Sequence, residues 1–408
     1  MCDKKPSPLV AVAATFLEMS DTSLYVHIPF CAQQCDFCTF YVEPTRGGRI
    51  GEFLSALEKE LATVVASEPF TPQTIFFGGG TPSVLNIRQF DQLFTRMRHL
   101  GLLSDSTREL TVEVTPSTVS LDKARLLRGH GVNRISMGVQ SLDEALLDRL
   151  GRVHSVDAVH QSFDTLRRAG FDNINLDLIF AIPGQTPRIW LETLSEIIAL
   201  DPEHISTYEL TYEEGSAMTA KKEAGIFRPP DEETIVEMYE TAISTLADAG
   251  YAQYEISNFS KRDRRCAHNL NYWFGGDCVA AGPSAAGYWH GMRYKNVPDL
   301  DAYIKMLSRG ERPIAFSETL PPRQRAGELA AFAIRMNDGI DAKWFRSRTG
   351  FTLEELWSLE ITDLTTEGFA DFDGHCLRLT PNGRLVADSV AERLVILSET
   401  TELPQPKT

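Results

Sequence analysis

Apolar positions follow two rhythms along the first two-thirds of the chain. Compact runs rich in β-forming residues occur at 24–28, 74–77, 110–114, 134–139, 174–180 and 204–210, and read as short strands. Between them apolar residues recur three and four apart, at 50–66, 87–99, 121–128, 156–169 and 189–199, which predicts helices with one buried face. Six βα units in series imply an α/β fold with a parallel sheet. Six are too few to complete an eight-stranded barrel, so a splayed partial (β/α)6 barrel is expected.

Residues 232–249 predict a further helix, ended by Gly250. The composition then shifts: 260–271 is rich in Lys, Arg and Asn, and 275–287 in small residues. From 322 the pattern changes again, with helical stretches at 324–336 and 353–358, then 364–368 and a hairpin over 370–379 turning at Asp373-Gly374. This predicts a smaller C-terminal α+β module, for which a winged-helix-like arrangement and a generic appendage are equally open. The expected organisation is an N-terminal extension (1–23), the partial barrel (24–255), a linking region (256–321) and the C-terminal module with its tail (322–408). The last residues, 402–408, contain two prolines and read as a frayed end.

Composition narrows the function classes. The chain has 408 residues, 43% hydrophobic and 24% charged, which suits a large globular core. No apolar run approaches the ~20 residues a membrane span needs. Lys4-Lys5 ahead of the apolar stretch 9–17 mimics a secretory leader, but the stretch is short and Asp3 and Glu18 flank it wrongly. A net charge of −16 argues against nucleic acid and against docking on anionic lipid. Seven cysteines, three of them within 31–38, suggest a metal site in a reducing compartment, hence the cytoplasm.

Those three cysteines carry the strongest chemical signal. Cys31, Cys35 and Cys38 directly follow the first predicted strand, in the loop where βα folds place their chemistry. A [4Fe–4S] cluster takes four ligands, so three cysteines leave one iron open. Zinc would need a fourth ligand close by, and His27, on a strand with alternating faces, is a poor fourth arm. GGGTP (78–82) follows the second strand, where glycines let backbone approach a ligand. Glu113 ends the third strand and Gln140 the fourth, with Arg152 shortly after. Asp177 lies among apolar residues on the fifth strand and needs a partner, since unpaired burial is costly.

The spacing CxxxCxxC after a first strand, with Phe37 before the last cysteine, resembles the radical S-adenosylmethionine (SAM) superfamily. The resemblance implies that the open iron binds SAM, whose reductive cleavage yields an adenosyl radical. From Tyr25 to about Pro183, the segments YVHIPFC, GGGTP, SMGVQ, GRVH and DLIFAIPGQT resemble the coproporphyrinogen III dehydrogenase family. That implies SAM contacts from Tyr25, Phe37, Gly79, Gly80, Thr81, Glu113, Gln140, Arg152, Asp177 and Thr211. Two departures point to a sister branch, the HemW-type heme chaperones: Phe40 stands where the dehydrogenase has a further cysteine, and only 24 residues precede Tyr25.

A downstream motif agrees. His268, Asn269, Tyr272 and Trp273 resemble the HNxxYW heme signature of that branch. A neutral imidazole can ligate heme iron, and Cys266 is a competing ligand. Lys261, Arg262, Arg264 and Arg265 lie just upstream as candidate partners for heme propionates. From the residues alone, a surface loop with a packed Trp is equally open. The stretches 328–336, 339–345 and 379–383 resemble the branch's C-terminal module. The resemblance implies a heme carrier that hands heme to acceptor proteins such as respiratory cytochromes, rather than an enzyme. Oxidation of coproporphyrinogen and radical degradation of heme are the alternatives. Whether the chain forms a homodimer stays open.

Overall fold

The computed structural model describes residues 22–45 and 48–397. The leader-like stretch 9–17 and the tail 402–408 lie outside the described residues. The six predicted strands form as β1 (Ser23–Ile28), β2 (Thr74–Gly79), β3 (Glu109–Val114), β4 (Arg134–Gln140), β5 (Ile174–Phe180) and β6 (His204–Glu209), all parallel and in spatial order. Helices α1 (Ile50–Ser67), α2 (Ile87–His99), α3 (Leu121–Gly129), α4 (Val156–Arg168), α5 (Pro187–Ala199) and α6 (Glu232–Asp248) alternate with or follow them.

The sheet is wider than the βα pattern predicts. After β7 (Ala252–Gln253) and β8 (Asn258–Ser260) extend it antiparallel beyond β6, β9 (Cys278–Ala281) returns to the far side and pairs parallel with β1. β10 (Ala286–Trp289), β11 (Met292–Asn296) and β12 (Ile314–Thr319) then continue as an antiparallel meander. The result is one twelve-stranded sheet, β12-β11-β10-β9-β1-β2-β3-β4-β5-β6-β8-β7, whose two edges do not meet.

Each parallel strand has one aliphatic and one polar face. Leu24, Val26 and Ile28, then Ile75 and Phe77, then Leu110, Val112 and Val114, all buried, belong to the core under the helices. The alternate residues, among them His27, Thr111, Glu113, Ser136, Asn175, Asp177 and Ser206, face the concave side. A packed barrel fills its interior with branched apolar chains. Here the interior is polar, a surface suited to a ligand.

Outside the sheet one buried carboxylate ties three segments together. Glu60 of α1 accepts from the Gly282 amide at 2.8 Å, from Asn296 Nδ2 at 2.7 Å and from the Tyr303 hydroxyl at 2.6 Å, the last on α8 (Leu300–Ser308). Helix α7 (Ala267–Trp273) precedes α8 in the chain. Burial pushes the Glu60 pKa up to about 7, against these three hydrogen bonds. The acid form is therefore favoured in the fold relative to the unfolded chain. The corresponding stabilisation is complete below the unfolded value and lost as pH rises through about 7. Between pH 5 and 8 this group alone should cost about 3 kcal/mol. Glu60→Gln should flatten that part of the profile in urea unfolding at the two pH values; an unchanged slope would refute the assignment.

The C-terminal module has a separate core around Leu329, Phe345, Trp357, Leu364 and Leu377. Its order is α9 (Pro322–Ala333), β13 (Ile340–Asp341), α10 (Ala342–Thr349), α11 (Leu353–Thr366), and the hairpin β14 (Ala370–Phe372) and β15 (Cys376–Leu379), with β13 completing a three-stranded sheet. Helix, strand, two helices and hairpin is a winged-helix order. The stretch expected at 353–358 and residues 364–366 both fall within α11, whose helical backbone is broken by a kink at Trp357 (φ −139°, ψ 35°).

Candidate functional site

The three cysteines sit at the C-terminal mouth of the parallel strands. Phe30–Cys31 pairs with Glu43–Pro44 and closes the loop between them, and a turn from the Cys38 amide to the Cys35 carbonyl (3.1 Å) folds its middle. Cys31 Sγ lies 3.4 Å from Thr81 Oγ1, and Arg152 Nη1 donates to Cys35 Sγ at 3.3 Å. Residues far apart in sequence thus converge on the thiols. Burial pushes the Cys31 thiol up and Cys38 up to about 11, so these two thiols, when bare, hold their protons. A bound metal would displace them.

Among the described residues, no three His, Cys, Asp or Glu side chains are arranged to hold a single metal ion. His27 is committed elsewhere: its Nε2–H donates to the Tyr41 carbonyl at 3.0 Å, and its Nδ1 accepts from the Tyr25 hydroxyl at 3.1 Å. A thiol triad with a cation beside it, a hydroxyl at its edge and His27 engaged elsewhere fits a cluster with one open iron better than zinc, which needs a fourth ligand close by. Phe40 is 65% exposed at the same loop, so no fourth sulfur enters from that position.

The glycines of 78–80 are needed for close packing. At Gly79 (φ +104°) a Cβ would fall 2.3 Å from the His27 ring, and at Gly80 it would fall 2.8 Å from the Ile28 and Phe30 carbonyls. The Gly80 and Thr81 amides donate to those same carbonyls, at 2.9 and 2.8 Å. Gly78 instead leaves room for Glu113, whose Oε1 would lie 3.0 Å from a Cβ there. Burial, then the charge of Asp177, pushes Glu113 up to about 8, although the Gly79 amide pulls it down. Asp177 is also raised by burial, and takes hydrogen bonds from Ser136 Oγ (3.0 Å) and Asn175 Nδ2 (2.8 Å). Two carboxyls that repel each other in a polar hollow suit a cationic ligand, such as a sulfonium or ammonium group.

Gln140 closes the ring from β4. A bulge at Gly138 and a left-handed backbone (φ 71°) at Gln140 end the strand, a conformation costing about 1–3 kcal/mol in a non-glycine residue. Arg152 Nη2 donates to the Gly138 carbonyl at 2.6 Å and so spans β4 and the cysteine loop. Tyr25 stands beside Phe76, with ring centroids 6.3 Å apart. Phe37 packs on a small apolar cluster with Ile179, Ile182 and Leu210, beside the mouth. Thr211 is exposed just past β6.

The downstream motif lies at the opposite end of the strands. It forms α7 (Ala267–Trp273), held against the first residues of β2 and β3. Glu109 accepts from the Ala267 and His268 amides, both at 2.9 Å, and from Cys266 Sγ at 3.6 Å. His268 is only 1% exposed; its Nδ1 is 2.9 Å from Thr74 Oγ1, and its ring packs on Phe76 (5.2 Å) and edge-on to Tyr272 (5.0 Å). Its Nε2 is buried with no partner. Burial, helped by Arg134, lowers its pKa to about 3, so the ring stays neutral.

An oriented, neutral imidazole with one uncommitted nitrogen has the features of an axial iron ligand. Cys266 is fully buried, pushed up to about 12 and bonded to Glu109, which makes it a poor ligand. Asn269 and Trp273 are half-buried and Tyr272 is partly exposed. Lys261, Arg264 and Arg265 are engaged with Asp201, Asp172 and Asp338, and Arg262 with its neighbour Asp263.

The two ends are joined by residues that motif reading missed. Asn175 accepts from His204 Nδ1 at 2.6 Å, His204 Nε2 accepts from the Tyr254 hydroxyl at 2.8 Å, and that hydroxyl accepts from the Cys266 amide at 3.3 Å. A hydrogen-bonded chain therefore runs from Asp177 to the start of α7. Its signal in the sequence is the polar residue at every second position of otherwise apolar strands.

Comparison with known proteins is consistent with this geometry. Residues 25–197 match the Radical SAM superfamily and 320–386 the HemN C-terminal domain. "Heme chaperone HemW" of Bacillus subtilis is 34% identical over 370 residues, covering 90% of this chain and 97% of that one. The protein of the same name from Mycobacterium tuberculosis (strain H37Rv) is 32% identical over 91% and 94%. The Escherichia coli coproporphyrinogen III oxidase (HemN), a radical SAM enzyme, has the same fold at 22% identity, with a TM-score of 0.81 over 96% and 93% of the two chains.

Proposed function

From the premise that this chain belongs to the HemW family of heme chaperones within the radical SAM proteins, we propose that it binds heme and a SAM-ligated [4Fe–4S] cluster and passes the heme to acceptor proteins. Cys31, Cys35 and Cys38 would hold the cluster, and its open iron would supply an electron-transfer site for bound SAM. Gly79, Gly80 and Thr81 shape the wall of that site. Glu113 and Asp177 would line it as carboxyls whose ionised forms a bound cation stabilises, Gln140 and Arg152 border it, and Tyr25 and Phe37 flank it. Thr211, exposed just past β6, would be a further contact.

The observation that carries the heme reading is the buried, unpartnered Nε2 of His268. Asn269, Tyr272 and Trp273 complete its motif, and the last two offer the aromatic surface a macrocycle needs. The proposed setting is cytoplasmic, with respiratory cytochromes as the class of acceptor. No helix among the described residues is long and apolar enough to cross a membrane.

One anaerobic experiment tests the reading. The reconstituted protein should give a Soret shift with hemin, and His268→Ala should lose at least tenfold in affinity, about 1.4 kcal/mol or more. Incubation with SAM, a reductant and coproporphyrinogen III should leave the tetrapyrrole unchanged. Formation of protoporphyrinogen would make the chain an oxidative decarboxylase, and destruction of hemin would make it a degrading enzyme. Either result overturns the carrier assignment.

A further inference from the structure

A cavity of about 350 Å³ opens between the β10–β11 hairpin and the C-terminal module, lined by Gly275, Tyr288, His290, Arg325, Leu329 and Arg348 among others. Two guanidiniums converge in it. Arg325 Nη2 and Arg348 Nη2 both donate to the Gly275 carbonyl, at 3.1 and 3.4 Å. Arg325 Cζ sits over the Tyr288 ring, 3.9 Å from its centroid, which helps to hold the guanidinium in place. It also meets Glu328, but that carboxylate is shared with Arg293 at 2.6 Å. Arg348 has no carboxylate partner among the described residues. The cavity's own acid, Asp277, is occupied by the His290 amide at 3.0 Å and faces its ring at 3.7 Å. Pro322, in the first turn of α9, also lines the cavity, and no side chain caps that helix start.

This cationic cleft is linked to the heme motif by a relay of side-chain contacts. Tyr288 is the direct register partner of Cys278 on β9, and the Cys278 thiol donates to the Tyr272 hydroxyl at 3.2 Å. Tyr272 in turn packs on His268. From His268 to Arg325 the line of contacting side chains is thus Tyr272, the buried Cys278 and Tyr288, aromatic and apolar, ending in positive charge. That is the polarity of an amphiphilic tetrapyrrole, with an apolar ring and carboxylates at one edge. The basic residues at 261–265, first candidates for that role, are already paired with acids.

We infer that this cleft is a carboxylate-binding site in which Arg325 and Arg348 hold the propionates of bound heme, an assignment that rests on the heme-carrier reading above. Bidentate guanidinium–carboxylate contacts would fix the orientation of the cargo as well as adding affinity.

The test compares hemin with hemin dimethyl ester, in which both carboxylates are blocked, by Soret titration of the full chain. The wild type should prefer hemin by about tenfold or more. Arg348→Glu, an exposed change, should bring hemin down towards the ester and leave ester binding unchanged; Arg348→Lys should recover part of the preference. Arg325→Gln should act in the same direction, with thermal melting to confirm that the fold is intact. Arg346→Glu, on the same helix but outside the cleft, should have no effect. Equal binding of hemin and ester by the wild type, or an unchanged preference in Arg348→Glu and Arg325→Gln, would overturn the assignment while leaving heme binding intact. Failure of the wild type to bind either compound would overturn the heme-carrier reading and this site with it.

Discussion

Cys35→Ser should yield a folded protein with essentially no iron–sulfur cluster. The three thiols occupy one loop at the mouth of the sheet, outside the helix-covered core, and each is half-buried. Losing one oxygen-for-sulfur exchange there removes no core contact, so the melting temperature of the metal-free protein should shift by little. A cluster held by these three thiols would have no spare protein ligand to compensate, since one of its irons would already be open. Cys35 is also the thiol that Arg152 reaches, at 3.3 Å, so the exchange also changes the contact that ties this loop to Arg152. Iron and sulfide analysis after anaerobic reconstitution should show near-complete loss in Cys35→Ser, with parallel losses in Cys31→Ser and Cys38→Ser. Thr81→Ala, which removes only a hydroxyl 3.4 Å from Cys31, should retain cluster. A full iron complement in Cys35→Ser would refute the three-ligand assignment.

Glu109→Ala should cost about 3–5 kcal/mol of stability and also abolish hemin binding. Glu109 is 6% exposed and accepts from two backbone amides at the start of α7, with the Cys266 thiol alongside. Its removal leaves those donors buried without acceptors, and leaves the fully buried Arg134 without one of the negative charges it faces. The loss is a large share of the ~5–15 kcal/mol typical of a folded domain. Because the His268 amide is one of the two that Glu109 holds, the ring that Thr74 and Phe76 orient would lose its anchor. Thr74→Val should be milder: it removes one hydrogen bond to Nδ1, about 1 kcal/mol, and frees the ring tautomer. Urea unfolding alongside Soret titration separates the two effects. Wild-type stability in Glu109→Ala would mean that α7 is held by other contacts.

Much of this architecture is visible in local pattern. The six parallel strands and their helices emerge from periodicity because each strand carries an aliphatic face that must be covered. The hairpin at 370–379 is marked by Asp373-Gly374, and it forms with Phe372 opposite Leu377. The cysteine triad is legible because a loop ligand set is contiguous in sequence. β9 escaped for the converse reason. Cys-Val-Ala-Ala is short and built of small residues, and only pairing with β1 makes it a strand.

The site shows the same division. Sequence alone determined which chemistry is present: three thiolate donors after the first strand, carboxylates at successive strand ends, and an imidazole and two aromatics in one downstream motif. Those identities depend on residue type and spacing, which the chain carries in one dimension. Only the tertiary structure decided where they act. It places the thiols and α7 at opposite ends of one polar interior, because Glu109 and Thr74, at the starts of β3 and β2, draw α7 under the sheet on the chain's way back to β9. It commits the basic run 261–265 to nearby acids and leaves Arg348, more than 70 residues further on, beside Arg325 in an open cleft. Partners in ion pairs and the burial of a single nitrogen depend on which segments meet, and contact between distant segments is set by packing rather than by local sequence.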